Sequence, residues 1–149
     1  LFFMGIGLVQ RRSIVLNTKK IVKLPDGIKR KIVRIGLSVF FISAGANHFI
    51  HTAFYLRIMP PFFPFHVESV YLSGIFEIIG GFGVLIHRFR KIAGWGLFAL
   101  LIAVYPANIY MALAPDVFSA VPVAFLYFRL VLQFVFFYWA IRVTREDYN

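Results

Sequence analysis

Residues 71–83, YLSGIFEIIGGFG, lie inside an apolar run long enough to cross a bilayer, yet carry one acid, Glu77, near their middle. Ser73, Glu77 and Gly81 recur every four residues, so they share one face of a helix. A bare carboxylate inside a membrane costs several kcal/mol, roughly 3 on insertion scales. It calls for a partner, a proton or water. The other ionisable residue deep in an apolar run is Arg129, in FLYFRLVLQF at 125–134. The chain therefore reads as a bundle arranged so that Glu77 and Arg129 can meet.

Composition supports that frame. The 149 residues are 60% hydrophobic and 15% charged, whereas soluble domains are about half apolar and a quarter charged. The expected fold class is an all-α membrane protein, with room for about four spans of ~20 residues in a single bundle. The net charge is +10, and nine of the 16 Lys and Arg residues lie at or before Arg34. A basic flank beside a span points to topology and anionic lipid, so the lipid bilayer is the expected partner and nucleic acid is not. The chain has no Cys, which excludes a disulfide framework, a CxxC redox pair and thiolate metal sites.

Working outward from 71–83, the chain divides into a basic N-terminal extension (1–31), a four-span domain (32–141) and a polar tail (142–149). Residues 1–9 are apolar but too short to span, and the basic residues follow them, the reverse of a signal peptide. A start-site artefact explains them as well as an anchor does. In 10–31, Ile14, Ile21, Leu24 and Ile28 are spaced as one helical face. The segment is either an interfacial helix on anionic lipid or a solvated tail that sets topology. The first span is expected over 32–56, and its second half is polar: Asn47, His48, His51 and Thr52. RIMPPFFPFHVE at 57–68 cannot continue a helix through its prolines. Its phenylalanines suit the headgroup boundary or a lid over the bundle mouth. The second span, about 67–86, carries Gly74, Gly80, Gly81 and Gly83, a low-relief face for close helix approach. The third, about 92–114, contains Pro106, which predicts a kink. The fourth covers about 119–141. Lys and Arg cluster in the N-terminal flank, the HRFRK turn at 87–91 and the tail, so both termini are expected to be cytoplasmic.

At about 1.5 Å per residue, Glu77, Arg129, Asn47, His48, Tyr105 and Asn108 all fall about six to ten residues from the outer ends of their spans. Gln133 lies one turn below Arg129. Every span thus contributes to one polar layer. Two readings of Glu77 with Arg129 remain open at this point. One is a buried ion pair that fixes helix register. The other is a polarised site in which Arg129 binds an oxyanion, quinone carbonyl or carboxylate and Glu77 carries a proton. His48 and His51 stand three apart, but no third His shares their depth, so hydrogen bonding or proton transfer is favoured over metal or haem ligation. Asn108 is read either as a cap for backbone freed by the Pro106 kink or as a cavity residue.

GANHF (45–49), YLRIMPPFFP (55–64), YLSGIFEIIGGFGVL (71–85), AGWGLFALLIAVYPANIYMAL (93–113) and FRLVLQ (128–133) together resemble the DoxX-like family of small bacterial four-helix membrane proteins. The resemblance runs from about Ile35 to Ile141; the basic extension departs from the family's compact pattern. It implies a multi-pass protein of the bacterial inner membrane. Similarity to the DoxD subunit of thiosulfate:quinone oxidoreductase implies quinone-linked redox work. Distant eukaryotic relatives that resemble receptor-assembly chaperones imply that the bundle need not be an enzyme. The resemblance carries over no catalytic residues.

The resulting expectation is a subunit or partner of a quinone-linked membrane oxidoreductase, holding a quinone or other lipophilic ligand. It would work with a redox partner protein or as a homo-oligomer. Arg129 and His48 would donate to a ligand oxygen. Glu77 and Gln133 would set the proton and the orientation of Arg129, and Tyr105 and Asn108 would line the pocket, in a layer completed by Asn47, His51 and Ser73. The rival is a non-enzymatic assembly factor or scaffold in which Glu77 and Arg129 are structural. A transporter, the third reading, would need a dimer.

Overall fold

The computed structural model describes residues 26–145. It is all-helical over that range: α1 (Asp26–Ile50), α2 (Thr52–Ile58), α3 (His66–Leu85), α4 (Arg90–Leu113), a 3₁₀ turn (Pro115–Phe118) and α5 (Val123–Arg145). The four longer helices, α1, α3, α4 and α5, are long and apolar enough to cross a membrane. Residues 1–25 and 146–149, with the anchor, surface-helix and tail readings made for them, lie outside the described residues.

Helix α1 already includes residues 26–31, whose basic side chains flank its apolar part; Lys29 Nζ meets Asp26 Oδ1 at 3.0 Å on its exposed first turn. The expected continuous helix over 32–56 is interrupted at His51, whose φ and ψ are −119° and 40°. Local side chains compete for the backbone there. Thr52 Oγ1 donates to the carbonyls of His48 (2.8 Å) and Phe49 (3.2 Å). The chain then restarts as α2, which folds back over the bundle. The fourth long helix starts at Val123, directly after Pro122, because proline suits the entry to a helix but not its interior.

The long helices pack in chain order, α1 on α3, α3 on α4 and α4 on α5. Small residues make the first contact close. A Cβ on Gly45 would stand 2.5 Å from the Gly74 carbonyl oxygen, and one on Gly74 would stand 2.9 Å from the Gly45 carbonyl oxygen. In lipid such close backbone approach supplies the packing that hydrophobic burial supplies in water. The α3–α4 turn is closed by Arg90, which is buried and donates from Nε to the Val84 carbonyl at 3.1 Å.

Helices α1 and α5 meet mainly at the end where α1 begins and α5 finishes, here called the terminal end. Trp139 Nε1 donates to the Val33 carbonyl at 3.1 Å, the indole covers Gly36, and Phe40 stacks on Phe136 with centroids 4.1 Å apart. Two apolar clusters result. One, toward the terminal end, contains Leu37, Phe41, Val84, Leu97, Leu101, Ala140 and Val143. The other, at the loop end, joins Ile58 of α2 to Met111, Phe118 and Leu126. The polar layer lies between them. Of the two readings of the 57–68 phenylalanines, the lid is not formed: Phe62 and Phe65 are 80% and 72% exposed, and the end of α2 covers the cavity instead.

Candidate functional site

Between the two apolar clusters lies a cavity of about 580 Å³. Helix α1 contributes Ser43, Asn47 and His48, α2 contributes Tyr55, and α3 contributes Ser73 and Glu77. Helix α4 contributes Asn108, and α5 contributes Arg129 and Gln133. Seven of the nine residues expected in the polar layer therefore line one space: Asn47, His48, Ser73, Glu77, Asn108, Arg129 and Gln133.

The α4–α5 side is a chain of hydrogen bonds. Gln133 is buried; its Nε2 donates to the Leu101 carbonyl at 2.9 Å, and its Oε1 accepts from Asn108 Nδ2 at 2.7 Å. Asn108 Oδ1 in turn accepts from Arg129 Nη2 at 3.2 Å. Pro106 lies inside α4 and deprives the Ile102 carbonyl of its helical donor. The neighbouring Leu101 carbonyl is the one turned to Gln133. Asn108 spends both ends of its amide on side chains, so the kink-capping reading is corrected. Gln133 thus connects to Arg129 through Asn108.

The α1–α3 side is built by the Gly45–Gly74 contact. His48 and Glu77 each follow one of these glycines by three residues, so the close approach brings their side chains together. His48 Nδ1 stands 3.3 Å from Glu77 Oε2. The same Nδ1 is 2.9 Å from the Ala44 carbonyl. A carbonyl only accepts, so Nδ1 carries the hydrogen and points it at Ala44. Glu77 Oε2 is buried without a hydrogen bond, although the residue is only 7% exposed. Among the described residues no ion pair joins Glu77 to Arg129, and the expected pairing is corrected. The bundle opens a cavity where the two side chains were expected to touch. Among the described residues Arg129 makes one hydrogen bond, to Asn108, and a guanidinium offers five donors.

Two expected residues lie elsewhere. His51 is exposed and contacts Asn47 Oδ1 through Nδ1 at 2.7 Å, so it positions a wall residue from outside. Tyr105 turns its ring to Phe134 and Phe137, at centroid distances of 6.0 and 6.2 Å. Tyr55 was missed. Its hydroxyl accepts from Asn47 Nδ2 at 3.0 Å, and its ring stacks on His48 at 3.8 Å between centroids. The spacing Asn47–His51–Tyr55, four and four, is the signal that could have found it. Among the described residues no three His, Asp or Glu side chains stand together as a metal site.

Comparison with curated proteins and with solved structures gives no match to this chain. Residues 37–144 match a family model described as "Domain of unknown function (DUF8561)". That span includes every residue of the polar cavity wall and more than two thirds of the chain, which therefore belongs to the DUF8561 family.

Proposed function

We propose that this protein binds a lipophilic ligand with an oxygen-bearing head, such as a quinone, in its intramembrane cavity. In this reading it serves as a DoxX-like subunit or partner of a quinone-linked oxidoreductase in the bacterial inner membrane. One observation carries the reading. Among the described residues Arg129 has a single hydrogen bond and Glu77 a buried oxygen with none, and the two face the same 580 Å³ space without pairing. Ionisable groups are kept inside a membrane at a cost, and a cavity of about 300–1,000 Å³ is the size of a small-molecule site. Arg129 donates to a ligand oxygen, oriented by Asn108 and Gln133. Glu77 accepts from a ligand hydroxyl as a carboxylate, or donates as an acid. His48 stays beside Glu77, held by the Ala44 carbonyl and the Tyr55 ring.

Orientation follows the same reading. Lys29, Arg30, Lys31, Arg34, Arg88, Arg90, Lys91, Arg142 and Arg145 flank the terminal end, against Arg57 at the loop end. By the positive-inside bias, the terminal end faces the cytoplasm and the cavity lies in the opposite half of the bilayer.

Mass spectrometry of an organic extract of the detergent-purified protein tests the proposal, with Arg129→Met as control. A defined quinone or other polar-headed lipid enriched in the native sample and lost from the folded control is expected. Extracts identical to bulk membrane lipid in both samples count against it. The scaffold reading retains one supporting feature, an apolar groove on the lipid side of α3 and α4, where Gly83, Ala93, Gly96 and Ala99 leave room for a partner helix.

A further inference from the structure

The cavity is bounded by elements already described. The cluster around Ile58 and Met111 covers its loop end, the cluster around Phe41 and Leu101 underlies it, and α3 and α4 form its back. The remaining side lies between α1 and α5. These two helices both line the cavity, yet they share far less contact than the sequential pairs. Their described ring, indole and glycine contacts fall at or below Phe41 and Phe136, toward the terminal end. Above the Phe40–Phe136 stack, Ser43 is an exposed hydroxyl in mid-span that also lines the cavity, and Phe125 lines it while 51% exposed. Residues that both line a cavity and face outward mark its opening.

We infer that the seam between α1 and α5, above the Phe40–Phe136 stack, is a lateral portal through which a single-tailed amphiphile enters from the bilayer, its polar head at Arg129 and Glu77 and its tail left between Ser43 and Leu132. This inference rests on the proposed binding role of the cavity and adds the ligand's route and shape. A water-soluble ligand would have to cross the loop-end cluster. An amphiphile already dissolved in the bilayer meets the portal edge directly. Its tail occupies the seam that the two helices leave unfilled, so the chain's own packing is completed by the ligand.

Photo-crosslinking of the full chain in lipid nanodiscs tests this. Two probes carry the same decyl tail ended by a diazirine, one with a benzoquinone head and one with a carboxylate head. Unlabelled decyl benzoquinone or decanoate is the matching competitor. Competable adducts on Ser43, Phe125, Leu132 or Phe136 are expected from the quinone probe. Leu132→Trp should reduce them by about tenfold, the mark of roughly 1.4 kcal/mol of lost binding. Val131→Trp, at a neighbouring position 63% exposed to lipid, should leave them unchanged. If only the carboxylate probe labels the seam competably, the portal stands and the quinone reading falls. If neither probe does, or labelling concentrates on the α3–α4 groove, the portal is overturned. A quinone recovered from the native extract would in that case still uphold binding.

Discussion

On the α4–α5 side of the cavity, Gln133 holds the Leu101 carbonyl and Asn108, and Asn108 holds Arg129. On the α1–α3 side, Glu77 reaches, among the described residues, only His48, whose ring hydrogen is already directed at the Ala44 carbonyl. One wall presents a cation fixed in place by its neighbours. The other presents an acid with an oxygen left over. A purely structural polar layer has no use for that difference, since satisfied networks stabilise and half-satisfied ones cost. A ligand site does: the bonded wall orients the donor, and the unbonded oxygen is where an incoming group gains a hydrogen bond.

The largest effect should come from the contact that sets the α1–α3 wall. Gly45→Ala puts a methyl 2.5 Å from the Gly74 carbonyl oxygen, so the helices must separate. Overpacking of this kind costs about 1–3 kcal/mol. Thermal unfolding in detergent should show the loss, together with loss of any bound ligand, because His48 and Glu77 move apart.

Gln133→Leu ranks next. It strands the buried Leu101 carbonyl and the half-buried Nδ2 of Asn108, and a buried polar group left unpaired costs about 1–3 kcal/mol. The same unfolding assay measures it. If this change proved harmless, the α4–α5 wall would not be the rigid one.

Glu77→Gln probes the opposite wall and should behave differently. Little is bonded to Glu77, so stability should stay within about 0.5 kcal/mol or rise as a buried ionisable group is removed. Retention of an acid-sensitive ligand should fall. The two walls also predict additivity. Because Glu77 and Arg129 do not pair, the stability effects of Glu77→Gln and Arg129→Met should sum to within about 0.5 kcal/mol. A double variant much milder than that sum would restore the ion pair that the sequence suggested.

That suggestion shows where sequence reasoning reached and where it stopped. Helix number and spans follow from apolar length, and depth follows from the rise per residue, so the membership of the polar layer was largely legible. Which groups touch depends on helix rotation and on a few tenths of an ångström at Gly45 and Gly74, which hydropathy does not encode. Opposite charge suggested Glu77 with Arg129; packing gave Glu77 to His48 and Arg129 to Asn108. Tyr55 sits at the end of the expected span, where depth alone excluded it from the layer; the fold-back of α2 after His51 brings its ring onto His48. Tyr105 shares the depth of the layer but not its direction.

The smallest expected effect belongs to that residue. Tyr105→Phe removes a hydroxyl with no hydrogen bond among the described residues and keeps the ring contacts with Phe134 and Phe137. Stability should change by less than about 0.5 kcal/mol, and ligand recovered in the extract should match the native protein.

An experimental structure of the full chain in a lipid nanodisc tests the central claim most directly. The account predicts elongated density in the cavity, its polar end within hydrogen-bonding distance of Arg129 and its tail between α1 and α5. A collapsed cavity, with Arg129 and Glu77 paired and no density between the walls, would contradict it.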